Sequence, residues 1–273
     1  PHLPPPMQAD VRRTRLLDLV RSRGFASLPE LAQELDVSES TVRRDVEMLE
    51  EAGSARRTHG GVFYSGPSPN LPHFELRHEM QWSKKRQIAK AAALLIEEGD
   101  TVILDGGSTT YELAQMLVGR TLQIVTNSLP VANLFMASTT TELILLGGYV
   151  HNATGVSLGP YADEMISRLS ARRAVLSVAG ITQQGLYNSN LLLVETERAM
   201  MKAGGEVIIV ADSTKFGRQS LAQMCELSEV DKLVVDHEIS EAWQKQVQDA
   251  GVDLIVAPAE MAIIDRPVSH KAS

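Results

Sequence analysis

The chain carries the stretch Thr101-Val102-Ile103-Leu104-Asp105-Gly106-Gly107-Ser108-Thr109-Thr110, and this stretch decides the fold of its larger part. Four residues typical of a buried strand are followed by a loop of small polar residues, and a helical pattern then runs as far as Leu117. A strand, a short loop and a helix in this order are typical of one unit of a parallel sheet.

Six further aliphatic runs repeat the strand pattern, and helical patterns or polar loops separate them. They lie at residues 122–125, 142–146, 174–179, 207–210, 232–235 and 253–256. Near-continuous aliphatic strands are typical of a sheet that is covered on both faces. We therefore predict an α/β domain over residues 78–260, with a mostly parallel sheet and a first helix at residues 78–97.

The polar loops that follow the predicted strands are expected to lie together, because the carboxyl ends of parallel strands share the edge of the sheet where ligands bind. Residues 107–110 offer backbone N–H groups, hydroxyls and the positive end of a helix, a combination suited to phosphate. Lys215 adds a positive charge, and Asp105 and Asp212 are candidate acceptors for sugar hydroxyls.

Each of these loops also has an interpretation that involves no ligand. A Gly/Ser/Thr loop after a strand is often an ordinary turn, and a lysine after a strand often faces solvent. The run Thr126-Asn127-Ser128 either adds donors to the site or only caps the helix that follows. The loop at residues 106–110 is not a Walker A motif, because it lacks the Gly-Lys-Ser/Thr ending, and it is not a dinucleotide fingerprint.

Residues 10–64 predict three helices and a two-stranded wing. The second helix follows Ser27, which forms a capping box with Glu30, and the third follows Ser38 after a short turn. Such an arrangement is typical of a helix-turn-helix, whose last helix enters the major groove of DNA. Three amphipathic helices also occur as simple packing, but the order of cap, turn, arginine pair and basic wing favours DNA binding.

The candidate DNA contacts lie at the start of the third helix and in the wing. Hydroxyls and guanidinium groups suit phosphates and the edges of guanine. The third helix supplies Ser38, Ser40, Thr41, Arg43 and Arg44. The wing supplies Arg56 and Arg57, which we expect near the DNA backbone.

Composition limits the other functions open to the chain. Lys and Arg number 26 against 34 Asp and Glu, a net charge of -8, so any contact with nucleic acid must come from a local basic patch. The one cysteine, Cys225, excludes an internal disulfide and a multi-cysteine metal site and fits a reducing cytosol. We therefore expect a cytoplasmic protein with no metal and no cofactor. No apolar run reaches the ~18 residues of a membrane span.

Proline marks the boundary between the two parts of the chain. Three prolines fall within residues 67–72, and we predict a linker at residues 65–77. Residues 1–9 are expected to form a disordered tail, and residues 261–273 a second tail.

An ordered set of positions in the N-terminal part points to a known family. The set is Ser40-Thr41-Val42-Arg43-Arg44-Asp45, then Leu49, Gly53, Arg57 and His59-Gly60-Gly61. It resembles the signature of the DeoR family of bacterial regulators, winged helix-turn-helix repressors, less often activators, of sugar and nucleoside catabolism. The resemblance implies that Ser40, Thr41, Arg43 and Arg44 meet DNA, and that Arg57, His59 and Gly60 belong to the wing. We expect Asp45 to bind an arginine within the module.

A second set lies in the C-terminal part and comprises Asp105-Gly106-Gly107-Ser108-Thr109-Thr110, Thr126-Asn127-Ser128, Gly147-Gly148, Gly180 and Ala211-Asp212-Ser213-Thr214-Lys215-Phe216-Gly217. It resembles the DeoR-type effector domain, which is similar in fold to ribose phosphate isomerase and glucosamine phosphate deaminase. The resemblance implies a phosphorylated sugar or polyol as effector, with residues 108–110 on the phosphate and Lys215 nearby. The candidate effector site comprises Asp105, Gly107, Ser108, Thr109, Thr110, Thr126, Asn127, Ser128, Gly147, Gly148, Gly180, Asp212 and Lys215.

Three functions compete for this chain. The first is a homo-oligomeric regulator that binds operator DNA of a sugar or polyol catabolic operon and responds to a phosphorylated sugar. The second is a sugar-phosphate isomerase or deaminase, for which Asp105, Asp212 and Glu195 are candidate bases. The third is a regulator that has lost its ligand. We expect the first, without enzymatic activity, because the candidate residues explain binding better than turnover.

Overall fold

The computed structural model describes residues 8–23, 25–52, 54–57, 61–64 and 74–259. Both predicted tails lie almost wholly outside this part of the chain, as does the predicted linker up to residue 73. The described residues form an N-terminal module with its own apolar core and a larger α/β domain.

The N-terminal module is a three-helix unit with a small sheet, as the sequence predicts. Its helices are α1 (Ala9–Arg23), α2 (Leu28–Leu35) and α3 (Glu39–Glu51). Its strands are β1 (Phe25–Ala26), β2 (Ala55–Arg57) and β3 (Val62–Tyr64). They pair antiparallel in the order β1-β3-β2, so the wing has one strand more than the sequence predicts.

Local chemistry explains where α2 begins and ends. The Ser27 side chain accepts from the Glu30 backbone N–H and the Glu30 carboxylate accepts from Ser27, which confirms the capping box. Asp36 ends the helix in a left-handed conformation, with φ of 53°. The apolar residues at helical spacing, Leu28, Leu31, Ala32 and Leu35, are all buried.

The C-terminal domain is built on a parallel sheet of seven strands, all of which coincide with predicted aliphatic runs. The strands are β4 (Thr101–Leu104), β5 (Gln123–Thr126), β6 (Glu142–Leu145), β9 (Arg173–Ser177), β12 (Val207–Val210), β14 (Lys232–Asp236) and β15 (Asp253–Ala257). Their order in space is β15-β14-β12-β9-β4-β5-β6. Every neighbouring pair is parallel.

Helices cover both faces of this sheet, which confirms the predicted layers. They are α4 (Phe74–Glu79), α5 (Trp82–Ala93), α6 (Ser108–Leu117), α7 (Leu129–Phe135), α8 (Pro160–Ser167), α9 (Leu191–Ala203) and α10 (Glu241–Asp249). Successive strand residues point to opposite faces. Val102 and Leu104 therefore pack with α5, α6 and α7, whereas Ile103 packs with α8, α9 and α10. No helix in the described ranges is both long and apolar enough to span a membrane.

Short antiparallel strands, which the sequence analysis does not predict, complete the domain. β7 (Tyr149–His151) pairs with β8 (Val156–Leu158). A separate sheet joins β10 (Gly180–Thr182), β11 (Gly185–Asn188) and β13 (Ala222–Cys225). These strands have three or four residues each, and they cover the edge of the parallel sheet where the strands end.

The helix predicted at residues 78–97 is wrong in both its bounds and its continuity. Helix α4 begins at Phe74, inside the predicted linker, and ends at Glu79, while α5 ends at Ala93. The break between them is at Gln81, whose φ of 55° is left-handed. The buried Lys85 ammonium donates to the backbone carbonyls of Arg77 and Met80, so it satisfies acceptors that the break leaves without helical partners.

Candidate functional sites

The start of α3 presents hydroxyl groups at the surface of the N-terminal module. Ser38 caps the helix, since its Oγ accepts from the Thr41 backbone N–H at 3.3 Å. The same Oγ lies 2.8 Å from Ser40 Oγ and 2.9 Å from Thr41 Oγ1. The three hydroxyl side chains predicted to contact DNA therefore lie together at the start of α3. Ser38 also caps this helix.

The arginine pair on α3 is exposed on the same helix. Arg43 lies 3.9 Å from Glu39 across one helical turn, too far for a hydrogen bond. The Arg44 side chain forms no ion pair or hydrogen bond with any residue in the described ranges. Its guanidinium group, with donors on a rigid fork, is therefore available to DNA.

Two ion pairs hold α3 in place within the module. The Arg12 guanidinium donates to both oxygens of Asp45, at 2.5 and 3.1 Å, and the hydrogen bond to Asp45 raises the pKa of Arg12. This confirms the expectation that Asp45 binds an arginine. Arg57 in β2 donates from Nη1 to Glu47 at 3.0 Å, so this predicted DNA contact faces α3 in the present structure.

Of the remaining DNA-binding candidates in the wing, only Arg56 belongs to the described residues. Arg56 lies in β2, next to Arg57. His59 and Gly60 lie outside the described residues, so their predicted contacts with DNA stay predictions.

In the C-terminal domain, the predicted polar loops follow strands on either side of a topological switch point. The chain proceeds from β4 to β5 and β6 in one direction, and β9, β12, β14 and β15 extend in the other. The crevice between the ends of β4 and β9 is where ligands bind in sheets of this kind. Asp105 follows β4 and Ser177 ends β9, so both lie at this point.

The N-terminus of α6 faces this crevice and has no side-chain cap. Its N-cap residue is Gly107, and no side chain accepts from the first turn. The backbone N–H groups of Ser108, Thr109 and Thr110 therefore have no partner within the helix. The Oγ1 of Thr110 is buried with no hydrogen-bond partner among the described residues. These donors and the helix dipole favour an anion.

Asp105 holds the crevice together and is not a free acceptor. Its Oδ1 accepts from the Gly107 backbone N–H at 3.0 Å. Its Oδ2 accepts from the backbone N–H and the Oγ of Ser177, at 2.7 and 2.9 Å. Glycine at position 107 is required by space, because a Cβ there would lie 1.8 Å from Ser177 Oγ.

The run Thr126-Asn127-Ser128 has the capping role that the sequence leaves open. Ser128 Oγ accepts from the Val131 backbone N–H at 3.3 Å at the start of α7. Thr126 Oγ1 accepts from the Ser128 backbone N–H at 3.1 Å, and Asn127 Nδ2 donates to the Ser157 carbonyl at 3.0 Å. Asn127 Oδ1 is buried with no hydrogen-bond partner in the described part of the chain.

Close packing explains the glycine at two of the other predicted effector positions, and nothing in the structure explains it at the third. Gly148 has φ of 153°, and a Cβ there would lie 2.8 Å from the Leu158 carbonyl oxygen. A Cβ on Gly180 would lie 2.2 Å from the Arg218 carbonyl oxygen. Gly147 is exposed, with nothing within 4 Å of its Cβ position. Their contacts with an effector stay predictions.

Positively charged side chains lie at the same edge of the sheet, where Arg77 lines a cavity with Asp105 and Lys215 follows β12. Asp212 accepts from the Thr214 backbone N–H at 3.0 Å and so shapes the turn that carries Lys215. Lys215 is half-buried and forms no ion pair with any described residue. The pKa of Lys85 is lowered to about 8, chiefly by burial; the charges of Lys215 and Arg77 contribute to this lowering, and the charge of Asp212 opposes it. Lys85 is therefore close enough to both Lys215 and Arg77 for their charges to interact.

Comparison with known proteins assigns both parts of the chain. The DeoR-like helix-turn-helix domain matches residues 12–66, and the DeoR C-terminal sensor domain matches residues 80–237. The chain belongs to the DeoR family.

Curated relatives of this DeoR-family chain are transcriptional regulators. It is 27% identical over 245 residues to the HTH-type transcriptional regulator UlaR of Shigella dysenteriae serotype 1, covering 89% of this chain and 97% of that one. Identity to the UlaR of Escherichia coli K12 is 26% with the same coverage.

Solved structures similar to this DeoR-family chain are distant. Ribose 5-phosphate isomerase A from Neisseria gonorrhoeae has a TM-score of 0.37 and 15% identity, over 53% of this chain and 56% of that one. The eIF2B delta of Chaetomium thermophilum has a TM-score of 0.40 and 14% identity, over 83% and 70%.

Two charged residues that the sequence analysis does not single out lie at this edge of the C-terminal domain of the DeoR-family chain. Arg77 on α4 and Glu197 on α9 line a small cavity with Asp105, Gly107, Ser177 and Asn188. Glu197 follows Val194 and precedes Met200 at intervals of three, so its position on the buried face of α9 was open to prediction. Arg77 lies within the predicted linker at residues 65–77, for which the sequence analysis predicts no helix.

The candidate base Glu195 does not belong to this DeoR sensor site. It is exposed on α9 and pairs with Arg198 at 2.9 Å. Its neighbour Glu197, two residues along the helix, is the buried carboxyl. Glu195 is therefore ruled out as the base of the isomerase alternative on its position.

Helix α4 packs on α6 through side chains in the first turns of α6. These side chains follow residues 105–107, which form the candidate phosphate loop. His78 Nε2 lies 2.6 Å from the Glu112 carboxylate, which is buried. The Phe74 and Tyr111 rings meet edge to face with centroids 5.2 Å apart. The first described element of the C-terminal part of this DeoR-family protein therefore packs on the helix that begins at the candidate anion site.

Proposed function

We propose that this protein is a sequence-specific repressor of a sugar or polyol catabolic operon, controlled by a phosphorylated sugar bound at the end of β4. The observation that carries the proposal is the uncapped N-terminus of α6. Lys215 follows β12 at the same edge of the sheet and has no ion-pair partner among the described residues. Backbone donors, a helix dipole and a lysine suit a phosphate dianion.

The DNA arm of the proposal rests on the surface of α3. Ser38, Ser40, Arg43 and Arg44 are exposed on one short segment that a helix-turn-helix presents to the major groove. We further propose a homo-oligomer, at least a dimer, because paired recognition helices read repeated or palindromic half-sites. Light scattering on the full chain, alone and with operator DNA, measures this directly.

The coupling between the two sites is proposed to run through α4. This helix follows the linker and binds α6 through His78 and Phe74. An effector that contacts the first turn of α6 would favour one position of α4 over another. The shift in DNA affinity is then limited by the effector's difference in affinity between the two arrangements.

No observation favours the isomerase or deaminase alternative. The carboxylate of Asp105 accepts three hydrogen bonds and that of Asp212 caps a turn, so neither is free to act as a base. Incubation of the purified protein with sugar phosphates, followed by NMR, is expected to show no conversion. Turnover above the protein-free rate would favour the enzyme.

The proposal is tested first by thermal unfolding of the full chain with a panel of sugar and polyol phosphates and their unphosphorylated parents. A saturable rise in Tm with one phosphate, absent with its parent, is expected because a ligand that binds only the folded state stabilises it. No rise with any member, in protein that still binds DNA, would favour the regulator that has lost its ligand.

Replacing Arg44 with alanine is expected to weaken operator binding about 10- to 100-fold, the range for loss of a base contact of about 1–3 kcal/mol. The measurement is a fluorescence anisotropy titration at fixed salt. Arg168→Ala, which removes an exposed arginine immediately after α8, is the matched control and should leave the affinity unchanged. Equal affinities for Arg44→Ala and the control would remove Arg44 from the DNA interface.

Replacing Lys215 with alanine is expected to weaken the effector about 10- to 100-fold, since hydrogen bonds to charged groups contribute about 1.5–3 kcal/mol. DNA binding without effector should not change. Lys245→Ala, at an exposed position on α10, controls for the lost charge. A dose response identical to that of the unsubstituted protein would contradict a contact between Lys215 and the phosphate.

A further inference from the structure

A small, partly enclosed cavity lies next to the loop that precedes α6. It has a volume of about 30 Å³ and is lined by Arg77, Asp105, Gly107, Ser177, Asn188 and Glu197, among others. A polar cavity of this volume has room for a group the size of a water molecule. The cavity can therefore accept a hydroxyl group.

Glu197 is the unexplained group in this cavity. Its side chain is 2% exposed, and its Oε1 accepts from Asn188 Nδ2 at 2.7 Å. Its Oε2 is buried with no hydrogen-bond partner in the part of the chain that the structure describes. A buried polar atom without a partner costs free energy, so its retention at this position calls for a partner that binds there.

The chemistry of Glu197 suits a neutral polar partner. Burial and the nearby charge of Asp105 raise the pKa of Glu197 well above its usual value, and Asn188 and Arg77 only partly oppose this. A protonated carboxyl can both donate and accept a hydrogen bond, as a hydroxyl does. A second anion, such as another phosphate, would be disfavoured beside Asp105.

One hydrogen-bond network joins this carboxyl to the phosphate loop. Asp105 binds the Gly107 N–H and the Ser177 side chain. The Ser177 carbonyl accepts from Asn188 Nδ2 at 3.3 Å, and the same Nδ2 donates to Glu197. Glu197 is thus held at a fixed place relative to the start of α6.

We propose that Glu197, positioned by Asn188, binds a hydroxyl group of the effector, so that this site takes polyhydroxylated phosphates and discriminates against phosphates without that hydroxyl. The inference rests on the proposed phosphate site and adds to it the residue that selects the carbon chain. A site built to pair with a hydroxyl rejects an analogue that lacks it, because the buried carboxyl is then left without a partner.

The test compares affinities by calorimetry for inorganic phosphate, glycerol 3-phosphate, ribose 5-phosphate and sorbitol 6-phosphate. In the unsubstituted full chain, at least one of the two longer polyhydroxylated phosphates is expected to bind more than tenfold tighter than inorganic phosphate. Glu197→Met, which is similar in size and apolar, should abolish that preference while leaving the affinity for inorganic phosphate unchanged.

Two further variants keep the test decisive. Glu197→Gln retains a polar amide and should keep part of the preference, and it serves if the methionine variant does not fold. Glu195→Gln, at the exposed position on the same helix, should behave as the unsubstituted chain. The ratio of affinities is the readout, because a purely structural role for Glu197 would alter stability without altering that ratio.

The outcomes separate this inference from the function on which it rests. If inorganic phosphate binds but the polyhydroxylated phosphates bind no tighter, or if Glu197→Met keeps the preference, the role of Glu197 is overturned and the phosphate site stands. If neither inorganic phosphate nor any other probe binds, the proposed effector site is overturned and the inference with it.

Discussion

Replacing Gly107 with alanine is expected to destabilise the C-terminal domain by about 2–3 kcal/mol, the cost of forcing an extra methyl group into a packed site. The new Cβ would lie 1.8 Å from Ser177 Oγ and 2.5 Å from Ser177 Cβ, so the end of β9 must move. Since Asp105 holds both residues, the loop before α6 should move with it and the effector response should be lost. Denaturant unfolding and the effector-induced shift in Tm measure the two effects.

The matched control for this substitution is Gly147→Ala. Gly147 is exposed and has nothing within 4 Å of its Cβ position, so the free energy of unfolding should change little. If the two alanine variants were equally stable, the close packing at Gly107 would be refuted. Because Gly147 is also a predicted effector residue, an altered dose response in the control would place it at the ligand.

Replacing Asp45 with alanine is expected to destabilise the N-terminal module by about 3–5 kcal/mol, the range for removing one partner of a buried ion pair. Asp45 is 4% exposed, and the substitution leaves the Arg12 guanidinium without the carboxylate that binds it at two points. Operator binding should be lost at growth temperature, whereas the effector should still stabilise the C-terminal domain. Calorimetry of the full chain follows the two transitions separately.

The control for Asp45 is a second acidic residue that pairs with an arginine. Asp10 binds Arg13 at the surface, where its side chain is 91% exposed. Surface pairs of this kind contribute about 0–1 kcal/mol, so Asp10→Ala should retain operator binding. If Asp45→Ala were no less stable than Asp10→Ala, the buried pair would not be what holds α1 and α3 together.

The parallel sheet could be predicted from the sequence because its signal is local. Each of the seven strands coincides with an aliphatic run of four to six residues, and the inner strands β4, β5, β9, β12 and β14 are buried on both faces. The antiparallel strands β7, β8, β10, β11 and β13 beyond the sheet have only three or four residues each, which is too short for a clear alternation of apolar and polar residues. In addition, β13 pairs with β11, which is distant in the sequence. The break at Gln81 carries no glycine or proline signal, since its left-handed residue is held by the tertiary contacts of Lys85.

The candidate site shows a similar division. Predicted residues such as Asp105, Thr126 and Ser128 do follow the strands at one edge, but their side chains bind the protein itself. A sequence pattern shows which polar groups reach an edge and not which of them are already paired. Glu197 could not be singled out from the sequence, because the helical spacing that places it on one face of α9 does not show that its carboxyl group is buried.

The docking of α4 on α6 has a consequence for redesign of this protein as a biosensor. His78 and Phe74 bind α6 one turn beyond the residues that begin the helix, so changes to the phosphate loop also disturb the contact that leads toward DNA. Among the described residues, neither Asn188 nor Glu197 forms a hydrogen bond or ring contact with His78 or Phe74. Variant libraries for new ligands should therefore change residues of β11 and α9. They should keep the contacts between α4 and α6 constant, so that ligand binding still alters DNA binding.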